Sequence, residues 1–225
     1  MGGVIPLKDA SRRPLHFPVV TAAIIVINFL VFFLELSRGD AFVLQWSAIP
    51  AEISKGHHLI TILTAMFLHG SWSHILGNMV FLWAFGPEME DSMGGFRYAI
   101  FYLVGGIMAM LAQVAVIPSS TVPNVGASGA IAAVMGGFLV TYPADRIRSL
   151  LIIFIFVRVT MIPAALLIGV WFLIQLVNLG SVATTQSGGV AYVAHVAGLL
   201  FGAVTARFFR DPNRIAAQAW SDSSD

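Results

Sequence analysis

The chain holds 225 residues, of which 58% are hydrophobic and 10% charged, with a mean hydropathy of +0.87. A soluble domain is about 45–50% apolar and about 25% charged, so this chain lacks the polar side chains to cover a globule in water. The composition excludes a soluble protein and predicts an all-α membrane protein that crosses the bilayer several times. A net charge of +1, from 12 Lys+Arg against 11 Asp+Glu, offers no basic field for nucleic acid. Cysteine is absent, which removes disulfides, thiolate metal sites and cysteine nucleophiles together.

A helical span needs about 20 mainly apolar residues. The first such stretch is 17–37, bounded by Arg12 and Arg13 before it and by Arg38 and Asp40 after it. A second runs over about 74–89, with apolar residues 59–68 leading into it. The third is 98–117, ended by Pro118. The fourth is about 125–142, ended by Pro143 and Asp145. The fifth lies inside 150–179, which is longer than one span needs and is divided by Arg158 and Pro163. Residues 150–157 are expected to be an interfacial or re-entrant piece, with the helix over 162–179. The sixth is about 190–209.

Six spans make a bundle over 17–210, with short polar tails at 1–16 and 211–225. Both termini then share a side with Lys8, Arg12, Arg13, Arg97, Arg146, Arg148, Arg158, Arg207, Arg210 and Arg214, against Arg38 and Lys55 opposite. The positive-inside rule makes that side cytoplasmic. The compact plan suits a prokaryotic inner membrane. The connection 39–73 is long and apolar for an external loop, with Phe42, Val43, Leu44, Trp46, Ile49 and Ile53. It is expected to fold back into the outer leaflet with Trp46 at headgroup level.

Polar residues at span depth are the informative ones, because each costs free energy unless it has a partner. Four stand out: His74 and Asn78 near the start of span two, Ser128 near the start of span four, and His195 about five residues into span six. Spans two, four and six all run inward, so at about 1.5 Å per residue the four fall within roughly 10 Å of the outer helix ends. His74 and Asn78, four apart, share one helix face. Ser128 is flanked by Gly126, Ala127, Gly129 and Ala130, which leave its hydroxyl approachable and its helix-terminal N–H groups free to hold an oxyanion. His195 on another helix can act as base and then acid.

No Asp or Glu lies between Asp91 and Asp145 or between Asp145 and Asp211. A Ser-His-Asp triad therefore lacks its acid, and a Ser-His dyad is what the residues permit. His195 must then be oriented by packing, a hydroxyl or a backbone group. His69 with His74 lacks the Glu of a His-Glu-x-x-His helix and any third ligand, so no metal and no other cofactor is expected. Glu88, Glu90 and Asp91 are expected to interact with Arg97 or to cap the short inner loop.

Three segments jointly resemble the signature of rhomboid intramembrane serine proteases: His69 to Asn78 (HGSWSHILGN), the GASGA string around Ser128, and Ala194-His195-Val196-Ala197-Gly198 with Gly202. The resemblance covers roughly residues 40–205 and implies a six-helix bundle that cuts other proteins' transmembrane segments. Carried over by position, it makes Ser128 the nucleophile, His195 the base, and His74 with Asn78 the oxyanion donors. Gly198 and Gly202 allow span six to pack closely on span four. Two positions depart from the family's pattern. Ala132 stands where members often carry an aromatic that stacks on the histidine, and Trp46 is followed by Ser47 where some carry Trp-Arg.

The activity implied is peptide-bond hydrolysis on transmembrane protein substrates within the lipid bilayer. Residues 118–126 and 181–189 are expected to be flexible covers, and span five the face where a substrate helix enters. A non-catalytic module on the same scaffold predicts loss of the serine or histidine, and both are present. A transporter with a His74–His195 proton path predicts mid-membrane acids, and spans three to six have none.

Overall fold

The computed structural model describes residues 2–153, 156–182 and 192–221. Strand β1 (Gly2–Asp9) leads to helix α1 (Val19–Arg38). The connection that follows α1 carries three short helices, α2 (Asp40–Trp46), α3 (Pro50–Ile53) and α4 (Thr61–Thr64), and a 3-10 turn at Ala65–Phe67. Helices α5 (Trp72–Met93), α6 (Gly95–Val116) and α7 (Ser128–Thr141) follow. Strands β2 (Arg146–Ile153) and β3 (Phe156–Pro163) precede α8 (Ala164–Val182), α9 (Tyr192–Phe209) and α10 (Pro212–Ser221).

Three helices among the described residues, α1, α6 and α9, are long and apolar enough to cross a membrane, and α7 and part of α8 are shorter apolar helices. The short α7 is the centre of the molecule. Gly129 to Phe138 are all buried, and α5, α6, α8 and α9 pack around it. A helix apolar on every face has no preferred outward side, so it is surrounded by other helices rather than by solvent.

The expectation of an all-helical chain is corrected by one antiparallel sheet, ordered β1-β2-β3. Residues 150–157, expected as an interfacial piece, belong mostly to its hairpin: Leu150 pairs with Val159 and Leu151 with Arg158. The expected N-terminal tail supplies the third strand, with Val4 opposite Leu151 and Ile5 opposite Leu150. An apolar run of this length suits a strand as well as an embedded segment. Backbone pairing decides between them, because each buried N–H and C=O needs a partner.

The acids at the C-terminal end of α5 close the bundle's base, and among the described residues their partners lie on α1, in the segment before it and on α10 rather than at Arg97. Glu90 accepts the backbone N–H groups of Val20 and Thr21, at 2.9 and 2.7 Å, and the Thr21 hydroxyl. These are orphan donors at the start of α1, and a carboxylate there also meets the positive end of the helix dipole. Asp91 accepts from the Leu15 N–H and from the Gln218 side-chain amide on α10, and pairs with His16. Arg12 joins Asp145 at 2.6 Å.

Candidate active site

The connection between α1 and α5 builds a platform for the loop that enters α7. Ala48 and Asn124 exchange backbone hydrogen bonds, Ala51 donates to the Ser120 carbonyl, and Gly126 donates to the Ala65 carbonyl. Ala48, Ile53 and Ala65 bury against Met110 and Val114 of α6, with Ile62 beside them. The apolar character of this connection is thus used in packing. Its backbone fixes the approach to Ser128 at three points.

Gly126 has φ +127°, a conformation rare for any residue with a side chain. An added Cβ would lie 2.9 Å from the His74 ring and 3.6 Å from the Ser128 hydroxyl. The turn at Gly126 therefore sits directly between α5 and the first residue of α7. Ser128 opens α7, and the first bond of that helix runs from the Ile131 N–H to the Ala127 carbonyl. The N–H groups of Ser128, Gly129 and Ala130 precede that bond and have no helical partner.

His195 reaches this terminus from α9. Its Nε2 lies 2.6 Å from the Ser128 hydroxyl oxygen. The approach depends on small residues, because side chains at Gly198 and Gly202 would run into the backbone of Gly129 and Ala133 on α7. Gly129 itself faces Ala109 of α6 and Ala194 of α9. On α5, the His74 ring lies edge-on to that of His69, with centroids 5.1 Å apart. One turn further, Asn78 is buried, and its Nδ2 has no hydrogen-bond partner among the described residues. Glu35, near the C-terminal end of α1, accepts the His69 N–H at 3.1 Å. Among the described residues no group of three or more acidic or histidine side chains is arranged to hold a metal.

The ring of His195 is held by residues that the sequence reading passed over. Its Nδ1 lies 2.8 Å from the Gln175 amide oxygen on α8. The Trp171 ring, four residues earlier on α8, lies 5.5 Å from the imidazole, and Tyr192 meets it edge-on at 6.4 Å. Gln113 of α6 accepts the Ala194 N–H, fixing the start of α9. Of the expected orienting groups, packing is supplied by Trp171 and Tyr192, and a side-chain amide stands where a hydroxyl or a backbone atom was expected. The available signal was a polar residue in the apolar run of α8, four places after Trp171 and three before Asn178. A survey of ionisable residues does not register it.

The family model described as Rhomboid domain matches residues 56–212, well over half of the chain. The chain belongs to the rhomboid family. The matched segment holds Ser128, His195, His74 and Asn78, so family membership and the cluster of polar groups concern the same part of the molecule. Among similar proteins, Rhomboid-like protein 11, chloroplastic, of Arabidopsis thaliana is 41% identical over 69 residues, 31% of this chain and 24% of that protein. Rhomboid protease GluP of Bacillus subtilis is 30% identical over 136 residues, 57% of this chain and 26% of that protein. Rhomboid protease GlpG of Yersinia pestis is 28% identical over 90 residues, 40% of this chain and 32% of that protein. The matched part of this rhomboid chain therefore spans 24% to 32% of the length of these relatives.

Proposed function

We propose that this rhomboid-family chain is an intramembrane serine endopeptidase that hydrolyses peptide bonds in or near transmembrane segments of other proteins. The 2.6 Å contact between the Ser128 hydroxyl and His195 Nε2 carries the reading. The serine oxygen attacks the scissile carbonyl while its proton passes to Nε2. The carbonyl oxygen becomes an oxyanion, for which the Asn78 Nδ2–H (without a partner among the described residues), a His74 ring N–H and the N–H groups at the start of α7 are the donors. His195 then returns the proton to the leaving amide nitrogen as the C–N bond breaks. Water repeats the cycle on the acyl-serine and releases the second product.

The six apolar helices α1, α5, α6, α7, α8 and α9 serve as the spans, with the cationic termini and the sheet on the cytoplasmic side. Such an orientation suits a prokaryotic inner membrane. At about 1.5 Å per residue, the 14-residue α7 covers only about 21 Å of a hydrocarbon layer about 30 Å thick. Its inner end carries Tyr142 and Asp145, so Ser128 lies below the outer surface, within reach of a peptide bond in the outer leaflet. A substrate helix must unwind there, which favours small or helix-breaking residues near the cut. Of the two expected covers, 118–126 is the loop pinned by α3 and Ala48, and most of 181–189 lies outside the described residues.

The test is purified protein in lipid vesicles with a single-span substrate and, separately, a fluorophosphonate label. Cleavage and labelling at Ser128 are expected, with both lost in Ser128→Ala. Unchanged cleavage by Ser128→Ala would overturn the reading.

A further inference from the structure

We infer that Gln175 is the positioning residue of the catalytic base, completing a Ser128–His195–Gln175 relay in which a neutral amide stands where serine hydrolases commonly carry a carboxylate. The inference rests on the reading of Ser128 and His195 given above. It adds a group on a third helix and a definite protonation pattern for the imidazole.

The geometry is specific. The amide oxygen of Gln175 is 2.8 Å from Nδ1 and the Ser128 oxygen 2.6 Å from Nε2, so the two ring nitrogens face two different helices. A neutral imidazole carries one N–H, and its tautomer follows from the hydrogen bond made by the other nitrogen. With the Gln175 carbonyl oxygen toward the ring, Nδ1 must be the donor, and Nε2 keeps a lone pair for the serine proton. The reversed amide would present N–H to Nδ1 and move the ring proton to Nε2, where it could not accept from Ser128. Only one of these arrangements permits catalysis.

Burial makes the choice matter. Gln175 is 7% exposed and His195 8% exposed, so neither group finds ready compensation from solvent if the contact is lost. Position 132 holds an alanine, which has no ring to pack on the imidazole. Trp171 is one turn from Gln175 on α8, and its ring lies 5.5 Å from that of His195. Residues four apart share a helix face, so α8 delivers both constraints at once. Trp171 restricts the tilt of the ring, and Gln175 sets its proton. When the imidazolium forms, the same amide oxygen accepts from the N–H that remains on Nδ1, and no rearrangement is needed.

The experiment compares the full chain with Gln175→Leu, Gln175→Glu and, as a control at an exposed position of α9 away from the site, Val204→Ala. Three readouts are used: kcat and KM on a single-span substrate, the rate of fluorophosphonate labelling at Ser128, and nitrogen NMR of the His195 ring. Gln175→Leu is expected to lower kcat and the labelling rate about tenfold or more, the loss of one hydrogen bond and of tautomer control, with KM unchanged. Its NMR spectrum should show a mixture of ring tautomers where the parent shows the proton on Nδ1. Gln175→Glu keeps an acceptor and should restore most of the rate, and Val204→Ala should match the parent. Equal labelling by the parent and Gln175→Leu, or one tautomer in both, would overturn the inference while leaving Ser128 in its role. Failure of the parent to label at all would instead overturn the reading of Ser128.

Discussion

Gly198 on α9 lies against the Gly129 carbonyl of α7 so closely that a Cβ at 198 would collide with that oxygen. Three residues before Gly198 is His195, and one before Gly129 is Ser128. Backbone contact between these two helices is therefore what sets the distance between hydroxyl and imidazole. Because the obstructing atom is backbone rather than a flexible side chain, a methyl group can be admitted only by moving a helix.

Gly198→Ala is expected to abolish most cleavage and to lower stability by about 1–3 kcal/mol, the usual cost of overpacking a filled core. By contrast, an added Cβ at Gly169 on α8 meets nothing within 4 Å. Gly169→Ala should leave activity intact and stability unchanged or slightly raised, since alanine is the better helix former. Thermal unfolding in detergent, measured beside cleavage, checks both. Comparable behaviour of the two variants would show that helix approach does not control the site.

Asn78 offers a sharper separation of catalysis from folding. Its Nδ2 is buried and has no hydrogen-bond partner among the described residues, so replacing it breaks no such bond of Nδ2. Asn78→Ala should slow kcat by up to about 10²–10³-fold if the amide holds the oxyanion, with KM and the unfolding temperature little changed. A large fall in stability with a proportional loss of activity would assign the residue to structure instead.

In β1, burial pushes the Asp9 carboxyl up from its ordinary value of 3.8 to about 7, against the pull of the Ser11 N–H; the neighbouring Asp145 pushes it the same way as burial. The folded state thus keeps a proton that the unfolded chain loses near pH 4. Stability from this group is fully present below about pH 4 and declines as pH rises, until it is lost above about pH 7. Asp9→Asn should flatten that decline and make the variant more stable than the parent at pH 8. Unfolding temperatures of both proteins at pH 5 and pH 8 decide the matter: an identical pH dependence would remove Asp9 as the source.

The amino-acid sequence alone determined the membrane character and marked the apolar stretches and the polar residues within them. Each of those is a one-dimensional property. Span length follows from bilayer thickness, and a serine or histidine in an apolar run is conspicuous because burying it unpaired is costly. Which groups meet was decided by the tertiary structure. Gln175 is 20 residues from His195, and its contact depends on how α8 is turned about its own axis against α9, which no periodicity records. β1 pairs with β2, well over a hundred residues away in the chain. Its strand character was hidden because an apolar segment can satisfy its backbone either within itself, as a helix, or against a distant partner that only the folded chain supplies.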